Sequence, residues 1–127
     1  MKILVSALFF LVAMGTVMNA SQANDQATSC YLTAWEHPSK GGLGITRGQA
    51  IELCKGAPIA KEVLKCYRAA WEHPLNGGLG LTAGQAVQLC KGASNSKKAI
   101  SCYQKSWEHP SNGGLGLTAG QAIEFCK

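Results

Sequence analysis

Tryptophan, glutamate and histidine stand side by side three times in this chain, as Trp35-Glu36-His37, Trp71-Glu72-His73 and Trp107-Glu108-His109. An indole can stack on a sugar ring or an apolar side chain, a carboxylate can accept hydrogen bonds from hydroxyls, and an imidazole can bind a metal or carry a proton. Proline follows each triplet, and Gly-Gly-Leu-Gly comes soon after. Six cysteines frame the three copies: Cys30, Cys66 and Cys102 open them, and Cys54, Cys90 and Cys126 close them, at a constant period of 36 residues. A fixed period of this size marks a stacked repeat protein.

These residue types favour binding over turnover. No serine is fixed across the units and no free cysteine is expected, so no nucleophile–base–acid set forms and no catalytic residue is assigned. One histidine per unit, with the cysteines tied up, provides no metal-ligand cluster within a unit, and no cofactor is expected. Gly-Gly-Leu-Gly lacks the Gly-Lys-Ser/Thr ending and the preceding strand of a phosphate loop.

Each candidate has a structural reading beside the functional one. The tryptophans lie four residues after a tyrosine and on the cysteine face. They read first as core packed over the disulfide, and alternatively as a row of exposed platforms for sugar rings or peptide. The histidines close a helix, either bonding its last carbonyls and bracing the loop or contacting a ligand. The glutamates lie opposite the cysteine face, solvated or touching a ligand. From Cys30 to Lys55, 26 positions in all, 16 are identical in every copy, and most of these lie around the Trp-Glu-His-Pro and glycine segments. The segments leading into the units have drifted, so something holds the tips, whether folding or binding.

The elements that must position these residues are helices. Ile59, Val63, Cys66, Tyr67, Ala70 and Trp71 form one apolar stripe at helical period, and the other units repeat it. The first helix should start with Asn24 or Asp25 as cap, the third with Pro58 in its first turn, and the fifth with Ser94 or Asn95 as cap. Each of these helices must stop by the histidine, because a residue before proline avoids helical geometry. The glycine segment is then a loop. A second helix follows, announced by the capping boxes Thr46/Gln49, Thr82/Gln85 and Thr118/Gln121, with Ile45, Leu81 and Leu117 placed as hydrophobic staples. It stops at Lys55-Gly56 and Lys91-Gly92. Gly48, Gly84 and Gly120 fall in its first turn, where glycine costs up to about 1 kcal/mol relative to alanine. That cost predicts a close approach of another backbone or a ligand.

Spacing alone leaves fifteen disulfide pairings open. Heights along the helices choose among them. Cys66 lies about 10 Å from the end of its helix and Cys90 about 12 Å from the start of the next, so the two are level in an antiparallel hairpin. Cys90 and Cys102 are not level, and a bridge needs Cα atoms within about 7 Å. The expected pairs are Cys30–Cys54, Cys66–Cys90 and Cys102–Cys126. Ala34, Ala70, Ala50, Ala86 and Ala122, one turn away, let the helices come close.

The N-terminus reads as a leader. Met1-Lys2 is followed by an apolar run from Ile3 to Val17 and by Ser21-Gln22-Ala23, a small-x-Ala cleavage pattern. The expected organisation is a signal peptide (1–23) and three repeats (24–56, 57–92 and 93–127), secreted or periplasmic, with disulfides suited to an oxidising compartment. The formal charge of +5 is spread along the chain. It excludes a nucleic-acid arm, and no membrane association is expected once the leader is gone.

The helix-pair unit with its internal disulfide resembles the Sel1-like and tetratricopeptide solenoids, especially their cysteine-rich secreted members, in period, glycine loop and Gln-Ala helix start. The aromatic and alanine signature of tetratricopeptides is absent, and Trp-Glu-His-Pro belongs to neither. The resemblance implies an architecture and carries no functional residue with it.

The fold expected is all-α: three tandem 36-residue disulfide-stapled αα-hairpins, stacked as a short solenoid or a compact bundle. The function expected is a non-enzymatic binding or adhesion module. Its hairpin tips would hold a repetitive extracellular or cell-wall ligand, glycan or protein. The alternatives are a secreted inhibitor or toxin-like effector and a purely structural periplasmic protein.

Overall fold

The computed structural model describes residues 20–127, with side chains from Asp25 onward. Most of the expected leader, 1–19, lies outside the described residues. Six α-helices follow one another: α1 (Ala20–Trp35), α2 (Arg47–Cys54), α3 (Ala60–Trp71), α4 (Ala83–Cys90), α5 (Ser96–Trp107) and α6 (Ala119–Cys126). A short 3-10 turn interrupts each hairpin, at Pro38–Lys40, Pro74–Asn76 and Pro110–Asn112. No strand occurs among the described residues.

Each hairpin is held by the expected disulfide. Cys30–Cys54, Cys66–Cys90 and Cys102–Cys126 have Cα separations of 5.5, 5.5 and 5.8 Å. In the chain-entropy account each bridge contributes about 3 kcal/mol, which a unit of this size needs because its own core is small. The flanking alanines are fully buried, as is Ser106 in the place of one of them. Small residues there let paired helices lie close enough for the bridge.

Units stack in order. α3 packs between α1 and α5, and α4 between α2 and α6, while the first unit does not touch the third. The array is therefore a two-layer solenoid of helical hairpins and not a bundle closed on itself. Its core runs through the layers as Leu53, Val63, Tyr67, Val87, Leu89 and Tyr103.

The glycine loop seats on the end of the first helix of its unit. The last carbonyls of a helix have no partner inside it. Here the loop supplies them: the N–H groups of Leu79, Gly80 and Leu81 donate to the carbonyls of Ala69, Glu72 and Ala70 at 3.0, 2.8 and 3.0 Å, and the other units repeat this. A Cβ on Gly78 would overlap the Glu72 carbonyl, so no other residue fits there. Gly80 has φ +67° and lies against the Pro74 ring. The three Thr-x-x-Gln capping boxes then start α2, α4 and α6 as expected.

Some helix starts differ from expectation. α1 already includes Ala20, the first described residue, so Asn24 and Asp25 lie within the helix and not at its cap. Pro58 lies before α3, whose N-cap is Ile59 with no capping side chain of its own. The free Ala60 N–H is taken instead by Gln26 Oε1 of the preceding unit, at 2.8 Å. Asn95 caps α5 as expected, its Oδ1 accepting from the Lys98 N–H at 3.1 Å, and Glu62 Oε2 of the preceding unit accepts from the Ser96 N–H at 2.8 Å. That hydrogen bond holds the Glu62 carboxyl below its ordinary value of 4.5. Glu52 is lowered as well, by Lys91 of the next unit and by Lys55.

No neighbouring helix makes the close approach expected at Gly48, Gly84 and Gly120. A Cβ at each would meet open space. These glycines cost helix stability and no packing constraint requires them.

Gly84→Ala is accordingly expected to stabilise the fold by up to about 1 kcal/mol, whereas Gly78→Ala should destabilise it by roughly 2–4 kcal/mol through loss of three hydrogen bonds. Thermal unfolding of the oxidised protein separates the two signs. Glu62 gives a pH dependence. Its lowered value means that its contribution is present above pH 4.5 and is lost as pH falls through the folded-state value. The protection factor of the amides at the start of α5, taken against the intrinsic exchange rate at each pH, should fall on acidification, and Glu62→Gln should remove that acid sensitivity while keeping an acceptor in place.

Candidate functional site

The Trp-Glu-His-Pro element sits where the first helix of a unit gives way to the loop. α1, α3 and α5 each end on tryptophan. The glutamate is the C-cap, its carbonyl accepting the loop N–H described above. The histidine is extended (φ −63°, ψ 141° at His73), as the following proline demands. Its Nδ1 accepts the N–H of the residue two further on, Ser39, Leu75 or Ser111, at 3.1 Å each. The neutral ring must therefore carry its proton on Nε2. The histidines brace the 3-10 turn, and they do so through the ring and not by reaching back to the helix carbonyls.

The tryptophans are not in the core. Trp35, Trp71 and Trp107 are 46, 55 and 58 % exposed. The reading of indoles packed over the disulfide is corrected by helix geometry: five residues beyond Cys66, Trp71 has turned about 140° away from it. Tyr67 and Tyr103 fill the buried position, and burial raises their phenol pKa above 10.0. Because α1, α3 and α5 are neighbours in one layer, the three indoles share one end of it.

The platforms are not equivalent. The Arg47 guanidinium lies over the Trp35 ring, 4.9 Å from its centroid, a cation–π contact. The corresponding residues are Ala83 and Ala119, so Trp71 and Trp107 carry no such cover. Glu72 accepts a hydrogen bond from Asn76 Nδ2 at 3.1 Å, and Glu108 is exposed.

A groove of about 590 Å³ opens between the second and third units. Pro74 and the Gly78-Leu79-Gly80 loop form one wall, and Tyr103, Gln104, Trp107 and Glu108 form the other. At the same place between the first and second units, Arg68 Nη2 reaches across and donates to the Gly41 carbonyl at 3.0 Å. Gln104 replaces Arg68 in the third unit and makes no such bridge, which leaves the second groove clear. The site is thus built between units: the loop of one faces the tryptophan and glutamate of the next. Residues read one unit at a time could not reveal this. The signal available was the tyrosine four residues before each tryptophan, whose burial depends on the neighbouring unit.

All six cysteines are in disulfides. Among the described residues no three histidine, cysteine or acidic side chains converge on a point where a metal could sit. The nine candidate residues are brought to one edge, but the histidines are committed to the turn.

The chain matches no known protein family, no curated protein and no solved structure. These comparisons add no support to the likeness to Sel1-like and tetratricopeptide solenoids, which rests on period, glycine loop and Gln-Ala helix start alone.

Tryptophan emission of the oxidised protein should be red-shifted and readily quenched by acrylamide. Trp35 should be the least accessible, so that Arg47→Ala increases the quenching constant. A blue-shifted, protected signal would contradict the exposed edge.

Proposed function

We propose that the protein is an exported, non-enzymatic binding module that holds a repetitive ligand, a glycan above all, along its tryptophan edge. One observation carries this reading. Most residues fixed in all three tips serve the fold. The glycines seat the loop, the histidine caps the turn, and threonine with glutamine caps the second helix. The tryptophan side chains have no such role, yet they are fixed and stand exposed. An indole face with a carboxylate beside it suits a sugar ring, which offers an apolar face and a rim of hydroxyls.

The spacing supports a polymer. Packed helices lie about 8–10 Å apart, a separation near the length of a disaccharide. Sites in series on one rigid layer raise avidity by orders of magnitude when the ligand itself repeats. Three disulfides speak for an oxidising compartment, and among the described residues no helix is long and apolar enough to cross a membrane. With a cleaved leader, the periplasm or the cell exterior is the place where a wall polymer or surface glycan would be met.

Trp71→Ala and Trp107→Ala should each weaken binding to a polysaccharide or wall fragment by roughly tenfold or more, with a stability loss of about 1–3 kcal/mol that leaves the disulfide-bonded fold intact, since a little under half of each indole is covered. Trp35→Ala should matter less. Sedimentation with insoluble wall polymer, or calorimetric titration with soluble oligosaccharides of increasing length, measures this. Equal affinity for monosaccharide and polymer, or indifference to the tryptophans, would overturn the reading.

A further inference from the structure

Every unit shows one face to the unit before it and another to the unit after it. Leu53 and Leu89 lie on the forward face and are 0 and 2 % exposed; their counterpart in the third unit, Phe125, is 66 % exposed. Val87 and Ile123 lie on the backward face and are 2 and 6 % exposed; their counterpart in the first unit, Ile51, is 55 % exposed. Tyr31 follows the same pattern, half-buried where Tyr67 and Tyr103 are covered. The array thus displays, at opposite ends, the two halves of the interface it uses internally.

The charges match as well. Glu52 of the first unit pairs with Lys91 of the second at 3.2 Å. The counterpart of Glu52 in the third unit is Glu124, and the counterpart of Lys91 in the first is Lys55, both largely exposed. A second copy placed one repeat further along would set Lys55 against Glu124 just as Lys91 is set against Glu52.

We infer that the chain stacks head to tail on further copies of itself, the third unit of one molecule receiving the first unit of the next. The contact continues the inter-unit interface already present twice in the molecule, with Phe125 and Ile51 as its apolar centre. Such a contact is heterologous, so it extends into open rows unless the rotation per molecule closes a ring. One internal bond has no equivalent. Gln26 and Glu62 cap the helix of the following unit, and Lys98, at the same position in the third unit, has no acceptor to offer. The junction between molecules is therefore weaker than those within, and association is reversible and concentration-dependent.

Sedimentation velocity on protein exported and oxidised by the producing cell tests this, over a concentration series from micromolar to about millimolar. The wild type should gain mass progressively. Phe125→Asp and Ile51→Asp, both at exposed positions, should each remain monomeric with unchanged circular dichroism. Mixed in equal amounts, they should form a one-to-one dimer and stop, because each keeps one intact face. A wild type monomeric throughout, or variants that associate as it does, would overturn the proposal. So would monomeric variants that fail to pair when mixed, since that result indicates a two-fold contact.

Discussion

The fit of a glycine-only backbone onto the carbonyl end of a helix governs this molecule. Proline after the histidine forces the chain out of the first helix of each unit, leaving its last carbonyls without partners. The loop returns directly over them, and the place of Gly78 against the Glu72 carbonyl allows no side chain at all. That seating fixes where the second helix starts and in which direction it runs. Only then do Cys66 and Cys90 come level, with Ala70 and Ala86 beside them small enough for the helices to touch. The disulfide secures an arrangement that the loop has already imposed.

Features that the sequence expresses locally were legible in it. The period, the three cysteine pairs, the capping boxes and the helix ends all depend on residues within one hairpin. Features that depend on the neighbouring unit were not. Gln26 caps a helix 34 residues away, and Glu62 does the same for α5; no local pattern announces either bond. The tryptophans were misplaced because Tyr67 and Trp71 share a stripe on paper, while only the tyrosine is reached by the adjacent helices. The groove beside Trp107 escaped for the same reason, since its two walls come from different units. Gly84 is the converse case. An unfavourable residue repeated three times suggested crowding, and the structure shows open space there.

Small departures from perfect repetition give the array a direction. Arg47 lies over the first indole while alanine stands beside the other two. Arg68 closes the first groove, and Gln104 leaves the second clear. Toward the third unit the edge therefore becomes more open and less cationic. Three copies of one motif have become a graded series, which a polymer laid along the edge would meet in a defined polarity.

The order of the cysteines along the chain bears on how the protein is made. They are bonded in consecutive pairs, first to second, third to fourth and fifth to sixth, and the partners of every pair are 24 positions apart. A polypeptide that enters an oxidising compartment N-terminus first presents its thiols in this same succession. A dithiol oxidase that joins cysteines as they emerge thus produces the native set directly. No bridge must wait for a distant partner, and none needs to be reshuffled by an isomerase. Synthesis, oxidation and stacking can then proceed one hairpin at a time, each finished unit giving the next a surface to fold against.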